Sequence, residues 1–231
     1  SQNLKESTLE LFDIKNEIEV VPNFIDKRKY SMHFTDCQRS LMASEDEKII
    51  THISNFRKVK RIPDVIHIFN KIQKQIPAKL IMVGEGPEKE GAERLCEELG
   101  IASKVIFLGN SNEIDRILCF SDLFLLPSQT ESFGLAALEA MINRVAIISS
   151  NTGGIPEVNR QGITGYLSDV GNVEEMAENA LKILSDDQTL EKFKNNAAKA
   201  AMDFDILKVL PLYEAIYEKA LLARHESLQQ N

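Results

Sequence analysis

The chain has 231 residues, about one and a half typical domains, and is 43% hydrophobic and 27% charged. That is enough to bury a substantial core without a disulfide or metal staple. Its 27 basic and 35 acidic residues leave a net charge of -8, which argues against a nucleic-acid-binding footprint.

No apolar run reaches the roughly eighteen residues that a membrane span needs. The polar start, residues 1–5, shows no secretory h-region. Cys37, Cys96 and Cys119 lie far apart, with no C-x-x-C partner. This argues against a zinc site or a disulfide framework, and for the cytoplasm.

In chain order, residues 7–12 read as the end of a short helix, and 18–21 as a short strand stopped by Pro22. Residues 23–31 are polar and linker-like. Strands are predicted at 48–54, 79–83, 104–108, 122–126, 145–149 and 165–167. Helices are predicted at 63–76, 89–99, 113–120, 134–142, 173–185, 188–203 and 207–223. Strands alternating with helices of this length define an α/β fold with a parallel sheet. The strands are continuous apolar runs, as a sheet covered on both faces requires.

Ligands of such sheets bind beyond the carboxyl ends of the strands. The loop after the first strand, residues 55–61, has four basic residues in seven (Arg57, Lys58, Lys60, Arg61) and opens a helix. Clustered cations at a helix start suit a diphosphate, although a solvated turn has the same composition. The next loop, Gly84-Glu85-Gly86-Pro87, is glycine-rich but equally consistent with a tight turn.

The segment 127–142, PSQTESFGLAALEAMI, carries most chemistry. Glu139 sits among Leu135, Ala136, Leu138 and Ile142, where an ionised carboxylate needs donors. A ribose diol supplies two. Ser132, Phe133, Gly134 and Leu135 place free amides at a helix start, open to a phosphate. Glu131 and Glu139 are separated by roughly 12 Å of mostly helical rise. The plainer alternative is that Glu131 caps the helix and Glu139 pairs with a cation. The glycines of 152–157, TGGIPE, allow close approach of a ligand, or a turn. His52 and His67 read as structural, His33 and His225 as surface residues. Neither a nucleophile–base pair nor a metal-ligand spacing is evident.

Taken together, E-S-F-G-L-A-A-L-E-A-M around Glu131-x7-Glu139, V-G-E-G-P at 83–87, F-L-G at 107–109 and T-G-G-I-P-E at 152–157 resemble the retaining GT-B glycosyltransferases of family 4. The resemblance covers residues 18–223. It implies a Rossmann-like parallel sheet flanked by helices, the C-terminal, donor-binding half of a GT-B fold. The implied organisation is a remnant of the N-terminal domain and interdomain linker at 1–31. The donor-binding domain follows at 32–203. A C-terminal helix at 204–231 would cross to the N-terminal domain, the rest of which is expected to be missing from the chain.

By the same resemblance, Glu139 binds the ribose and Glu131 the donor sugar. The amides of Ser132, Phe133, Gly134 and Leu135 hold sugar and distal phosphate. Gly84 and the residues Leu108, Gly109 and Asn110 border the nucleotide. Lys60 matches the family's phosphate-binding lysine. The family's arginine five residues earlier is Asn55 here, with Arg57 as its expected substitute. Glu131, Arg57 and Lys60 form the implied catalytic set.

The run S-N-F-R-K-V-K-R with V-x-N-F-I-D at 21–26 resembles a narrower branch. Its members transfer N-acetylglucosamine from the UDP-sugar to L-malate in bacillithiol synthesis. The implied reaction retains the anomeric configuration, with no cofactor and no metal, and the chain alone is expected to turn over little. The competing readings are a family 4 transferase with another UDP-sugar and acceptor, a UDP-sugar epimerase, and a non-catalytic module for nucleotides or a partner helix. Tyr213, Ile216, Tyr217 and Leu221 share one helical face, suited to burial or to a homodimer contact.

Overall fold

In the computed structural model, which describes residues 1–30, 37 and 39–229 (side chains of 223–229 excepted), six strands pair into one sheet. They are β1 (Lys48–Ile53), β2 (Ala78–Val83), β3 (Val105–Gly109), β4 (Leu123–Leu126), β5 (Ala146–Ser150) and β6 (Gly165–Ser168). Every pairing is parallel, in the order β3-β2-β1-β4-β5-β6. The sheet is therefore doubly wound, and its order reverses between β1 and β4. Beyond their carboxyl ends lies a crevice from which both adjoining loops turn away.

The side chains alternate between two faces, and both faces are covered. Ile50, Leu80, Met82, Leu123, Leu125 and Ile148 join one core. That core also takes residues from α2 (Ile62–Ile72), α3 (Lys89–Glu98) and α7 (Val173–Leu184). Phe124, Leu126 and Ile147 face the other way, onto α5 (Leu135–Ile142) and α8 (Asp187–Ala201). Ile49, Ile81 and Val83 pack with Ile117 of α4 (Ile114–Leu118). Because neither face meets water, both rows of side chains are mainly apolar, with Thr51 and His52 of β1 and Ser149 and Ser150 of β5 as buried polar exceptions.

Local sequence sets the helix ends. Pro63 occupies the first turn of α2, where its missing N–H costs nothing. The Asn172 side chain accepts from the Glu175 amide at the start of α7, and Asp186 accepts from the Thr189 amide at the start of α8. The short helix α6 (Ile155–Val158) follows the paired glycines.

Several expectations are corrected. The first helix, α1 (Gln2–Leu11), is longer than the stretch expected at 7–12, and the Ser1 hydroxyl oxygen accepts from the Leu4 amide in its first turn. Residues 18–21 form no strand, because no sheet neighbour pairs with their backbone. Helix α2 ends at Ile72, with turns through to 76. Cys37 and Cys119 are joined as a disulfide, their Cα atoms 6.0 Å apart across 82 residues, contrary to the reading from spacing alone. Chain folding brings together cysteines that no local motif links.

In α9 (Ile206–Gln229) only part of the expected face is covered. Tyr213 meets Phe24 edge to face, ring centroids 6.1 Å apart, and Ile216 is half-buried, whereas Tyr217 and Leu221 are exposed. The predicted boundary at 31/32 and His33 lie outside the described residues, as does the side chain of His225.

Candidate functional site

The loops beyond β1, β2, β3 and β4 surround a cavity of about 680 Å³. The β1 loop contributes Ser54, Asn55 and Lys60 to its wall, and the turn after β2 contributes Gly84. Beyond β3, Asn110, Ser111 and Asn112 lead into Ile114 of α4. The opposite wall is Glu131 with Leu135, Ala136 and Glu139 of α5. Both carboxylates picked out by their spacing thus face one space, with the lysine of the basic loop.

The β1 loop is held by its aromatic residue rather than its charges. Phe56 is fully buried and meets Phe107 edge to face. Its backbone amide donates to the Glu85 carbonyl at 3.0 Å, and its carbonyl accepts from the Glu88 amide at 2.9 Å. With Phe56 anchored, a single 3-10 turn, Lys58–Lys60, carries Lys60 to the cavity. There its ammonium forms an ion pair with Glu131, and the Ser128 hydroxyl donates to the same carboxylate at 3.1 Å. Arg57 is exposed and is not part of the cavity wall, whereas Asn55 is.

Helix α5 begins at Gly134, whose φ of 94° is a left-handed conformation that other residues enter only with strain. The first amides of the helix have no intrahelical partner and carry its positive dipole end. Phe133 is buried against Phe204, so only its backbone remains for a ligand. Ser132 is exposed, Leu135 lines the cavity, and Gly134 is buried beneath them.

The paired glycines of 152–157 have a structural task. A Cβ on Gly153 would lie 1.9 Å from the Glu131 carbonyl oxygen. The Gly154 amide donates to that same carbonyl at 2.9 Å. The close approach is thus between two backbone segments, and it fixes the one carrying Glu131. Leu108 and Gly109 lie behind the wall, where the Gly109 carbonyl accepts from the Gly84 amide at 2.8 Å. Asn110 is the first residue of that loop to reach the cavity.

Glu139 accepts a hydrogen bond from the Tyr30 hydroxyl at 3.2 Å. Burial pushes its carboxyl above the usual range, and the Tyr30 bond opposes that rise. Tyr30 itself is pushed up to about 12, by burial first and then by the neighbouring Glu139 charge. His52 is fully buried behind the site and lowered to about 4 by burial. Its Nδ1 lies 2.8 Å from the Leu125 carbonyl oxygen, which can only accept, so the proton is on Nδ1. Its Nε2, 2.8 Å from Ser54 Oγ, then accepts from that hydroxyl. Ser54 therefore offers the cavity an oxygen that only accepts. Among the described residues, no group of three or more histidines, cysteines and carboxylates is placed to hold a metal ion.

Sequence reading missed Tyr30, Ser54, Ser111, Asn112 and Ile114. Ser54 and the residues after Asn110 are detectable as continuations of loops already singled out. Tyr30 carries no local signal, being 109 residues from the carboxylate it meets.

This architecture, a doubly wound parallel sheet whose switch-point crevice carries a lysine, two carboxylates and a helix start, is a Rossmann-like α/β fold of the GT-B kind. Residues 35–200 match the family described as Glycosyl transferases group 1, and the chain belongs to that family.

Its relatives include the N-acetyl-alpha-D-glucosaminyl L-malate synthase of Bacillus anthracis, 41% identical over 223 residues, which are 96% of this chain and 58% of the relative. The chain spans little more than half the length of that relative. Among solved structures, sucrose-phosphate synthase from Thermosynechococcus elongatus superposes with a TM-score of 0.87 at 22% identity, covering 96% of this chain and 57% of that one. S. aureus TarM, in a complex with UDP and alpha-GlcNAc-glycerol, gives 0.83 at 23% identity over 94% of this chain and 42% of that one. These structures show a common fold.

Proposed function

We propose that this chain binds a UDP-sugar, with UDP-N-acetylglucosamine as the donor, for a retaining, family 4 glycosyl transfer. The observation that carries the reading is the shared cavity. Glu139, Glu131, Lys60 and the start of α5 border one space at the switch point. Glu139 accepts the ribose hydroxyls, the wall from Asn110 to Ile114 borders the base, and Lys60 with the α5 amides takes the diphosphate. Glu131 is left for the sugar hydroxyls. The relative from B. anthracis is named for N-acetylglucosamine and L-malate, which supports that donor and L-malate as the acceptor.

As the glycosidic bond to phosphate breaks, negative charge grows on the departing diphosphate. Lys60 and the helix amides are fixed where that charge forms, so they stabilise the transition state more than the ground state. Departing phosphate oxygen takes the acceptor proton in a same-face attack, and no protein nucleophile is needed. The cationic side chain performs the neutralising task, so donor binding is expected without a divalent ion.

Calorimetric titration with UDP, UDP-N-acetylglucosamine and GDP-mannose, repeated on Glu139→Ala, tests the reading. Uridine-selective binding that weakens in the variant is the expected result. Equal affinity for the guanosine ligand, or no effect of the substitution, would overturn it.

A further inference from the structure

Tyr30 belongs to no motif and to no part of the reaction described above, yet it is bonded to the carboxylate assigned to the ribose. We propose that Tyr30 is a positioning residue for nucleotide binding, its hydroxyl aiming the Glu139 carboxylate at the ribose diol. This inference rests on the reading of Glu139 as the ribose-binding group.

The segment bearing Tyr30 is tied down from two sides. The Ile25 amide donates to the Phe204 carbonyl at 3.0 Å, and the Ile206 amide donates back to the Ile25 carbonyl at 2.8 Å. This fastens the segment to the start of α9. The Lys29 amide donates to the Asp26 carbonyl at 2.9 Å and closes the 3-10 turn Lys27–Tyr30. The Tyr30 ring packs on the cluster built around α5 and α8. Its hydroxyl, 3.2 Å from Glu139 Oε1, is therefore placed by the backbone and by ring packing together.

The bond leaves the carboxylate competent. An ionised carboxylate has about four lone-pair sites, and Tyr30 uses one of them. Enough remain for the two hydroxyls of a cis-diol. Tyr30 stays protonated at any physiological pH, so it always donates. Without it, burial alone acts on Glu139 and favours the uncharged form, which accepts poorly.

Among the described residues, three further charged groups lie near the pair. Asp115 of α4 acts on the Tyr30 hydroxyl. Lys60 and Glu131 border the same cavity and are paired with each other. Tyr30 thus couples the segment before the sheet to the nucleotide end of the cavity.

The test uses the 231-residue chain, Tyr30→Phe and Glu139→Gln, titrated with UDP and with 2′,3′-dideoxyuridine diphosphate from about pH 5 to pH 8. Phenylalanine keeps the ring packing and removes only the donor. The expected result is a roughly fivefold loss of UDP affinity in Tyr30→Phe near neutral pH, the effect of one hydrogen bond. The fall of affinity towards acid should begin at a higher pH in that variant. The dideoxy ligand, which lacks the diol, should bind wild type and Tyr30→Phe alike. Unchanged or tighter UDP binding by Tyr30→Phe, or equal losses for both ligands, overturns the inference while Glu139 keeps its assignment. If Glu139→Gln binds UDP as wild type does, or wild type binds none, the assignment of Glu139 fails and the inference falls with it.

Discussion

Lys60 and Glu131 form an ion pair across the crevice between β1 and β4, joining the two loops that diverge at the switch point. Their side chains are 19% and 14% exposed. Each is the other's counter-charge in a poorly solvated position, so removing either leaves an uncompensated charge. Lys60→Ala should therefore weaken UDP at least tenfold, consistent with the 2 kcal/mol or so lost when one member of such a pair is truncated. Uridine, lacking phosphate, should be nearly unaffected. Parallel titrations with the two ligands check this, and equal losses would place Lys60 away from the diphosphate.

His52 makes stability fall on the acid side. Its pKa is lowered from the 6.5 of a free imidazole to about 4 in the folded chain. Above pH 6.5 both folded and unfolded states are neutral and the group contributes nothing. Between 6.5 and about 4 the unfolded state takes a proton that the folded state refuses, so stability drops as pH falls. The full loss is about 3 kcal/mol, since each tenfold difference in proton affinity between the two states is worth about 1.4 kcal/mol. Urea titrations at pH 7 and pH 4.5 should show a shallower acid loss in His52→Gln than in wild type. The change with pH is the readout, because the substitution also lowers stability at pH 7 by disturbing the Leu125 and Ser54 bonds.

Gly153 has a φ of 56° and no space for a side chain against the Glu131 carbonyl. Alanine there meets both a backbone penalty and a backbone clash, together at least about 2 kcal/mol. Gly153→Ala should lower the unfolding temperature. It should also weaken UDP-N-acetylglucosamine more than UDP, since the displaced backbone carries the proposed sugar-binding carboxylate. Equal effects on both ligands would separate Glu131 from the sugar.

Phe56 is the anchor of the basic loop. Truncation to alanine removes a fully buried aromatic ring, at a cost of about 3–5 kcal/mol. Phe56→Leu retains much of that packing and is the more informative variant. Its unfolding midpoint should fall modestly, while UDP affinity declines because the loop presenting Lys60 loosens. A stability loss with unaltered affinity would show that Lys60 is held by Glu131 alone.

The architecture and much of the site were legible in the sequence. A hydrophobic run repeats in a strand that is buried on both faces, so the doubly covered sheet follows from local composition. The pair Glu131 and Glu139 is also local, being eight residues apart on one loop and helix start. The segment at 18–21 misled because strand-like composition does not supply a neighbouring strand. Arg57 illustrates the same point within a loop: charge alone does not choose which of several cations reaches the cavity, whereas burial of Phe56 and one 3-10 turn select Lys60.

What the sequence determined by itself was therefore the short-range part, namely periodicity, helix starts and carboxylate spacing, because these depend on residues within a few turns of one another. What tertiary structure alone decided was pairing at long range. The Tyr30–Glu139 bond, the Lys60–Glu131 pair and the Cys37–Cys119 link join residues 109, 71 and 82 positions apart. Such contacts arise when packing of the sheet and helices brings distant loops to one edge, and no local propensity encodes which side chains then meet.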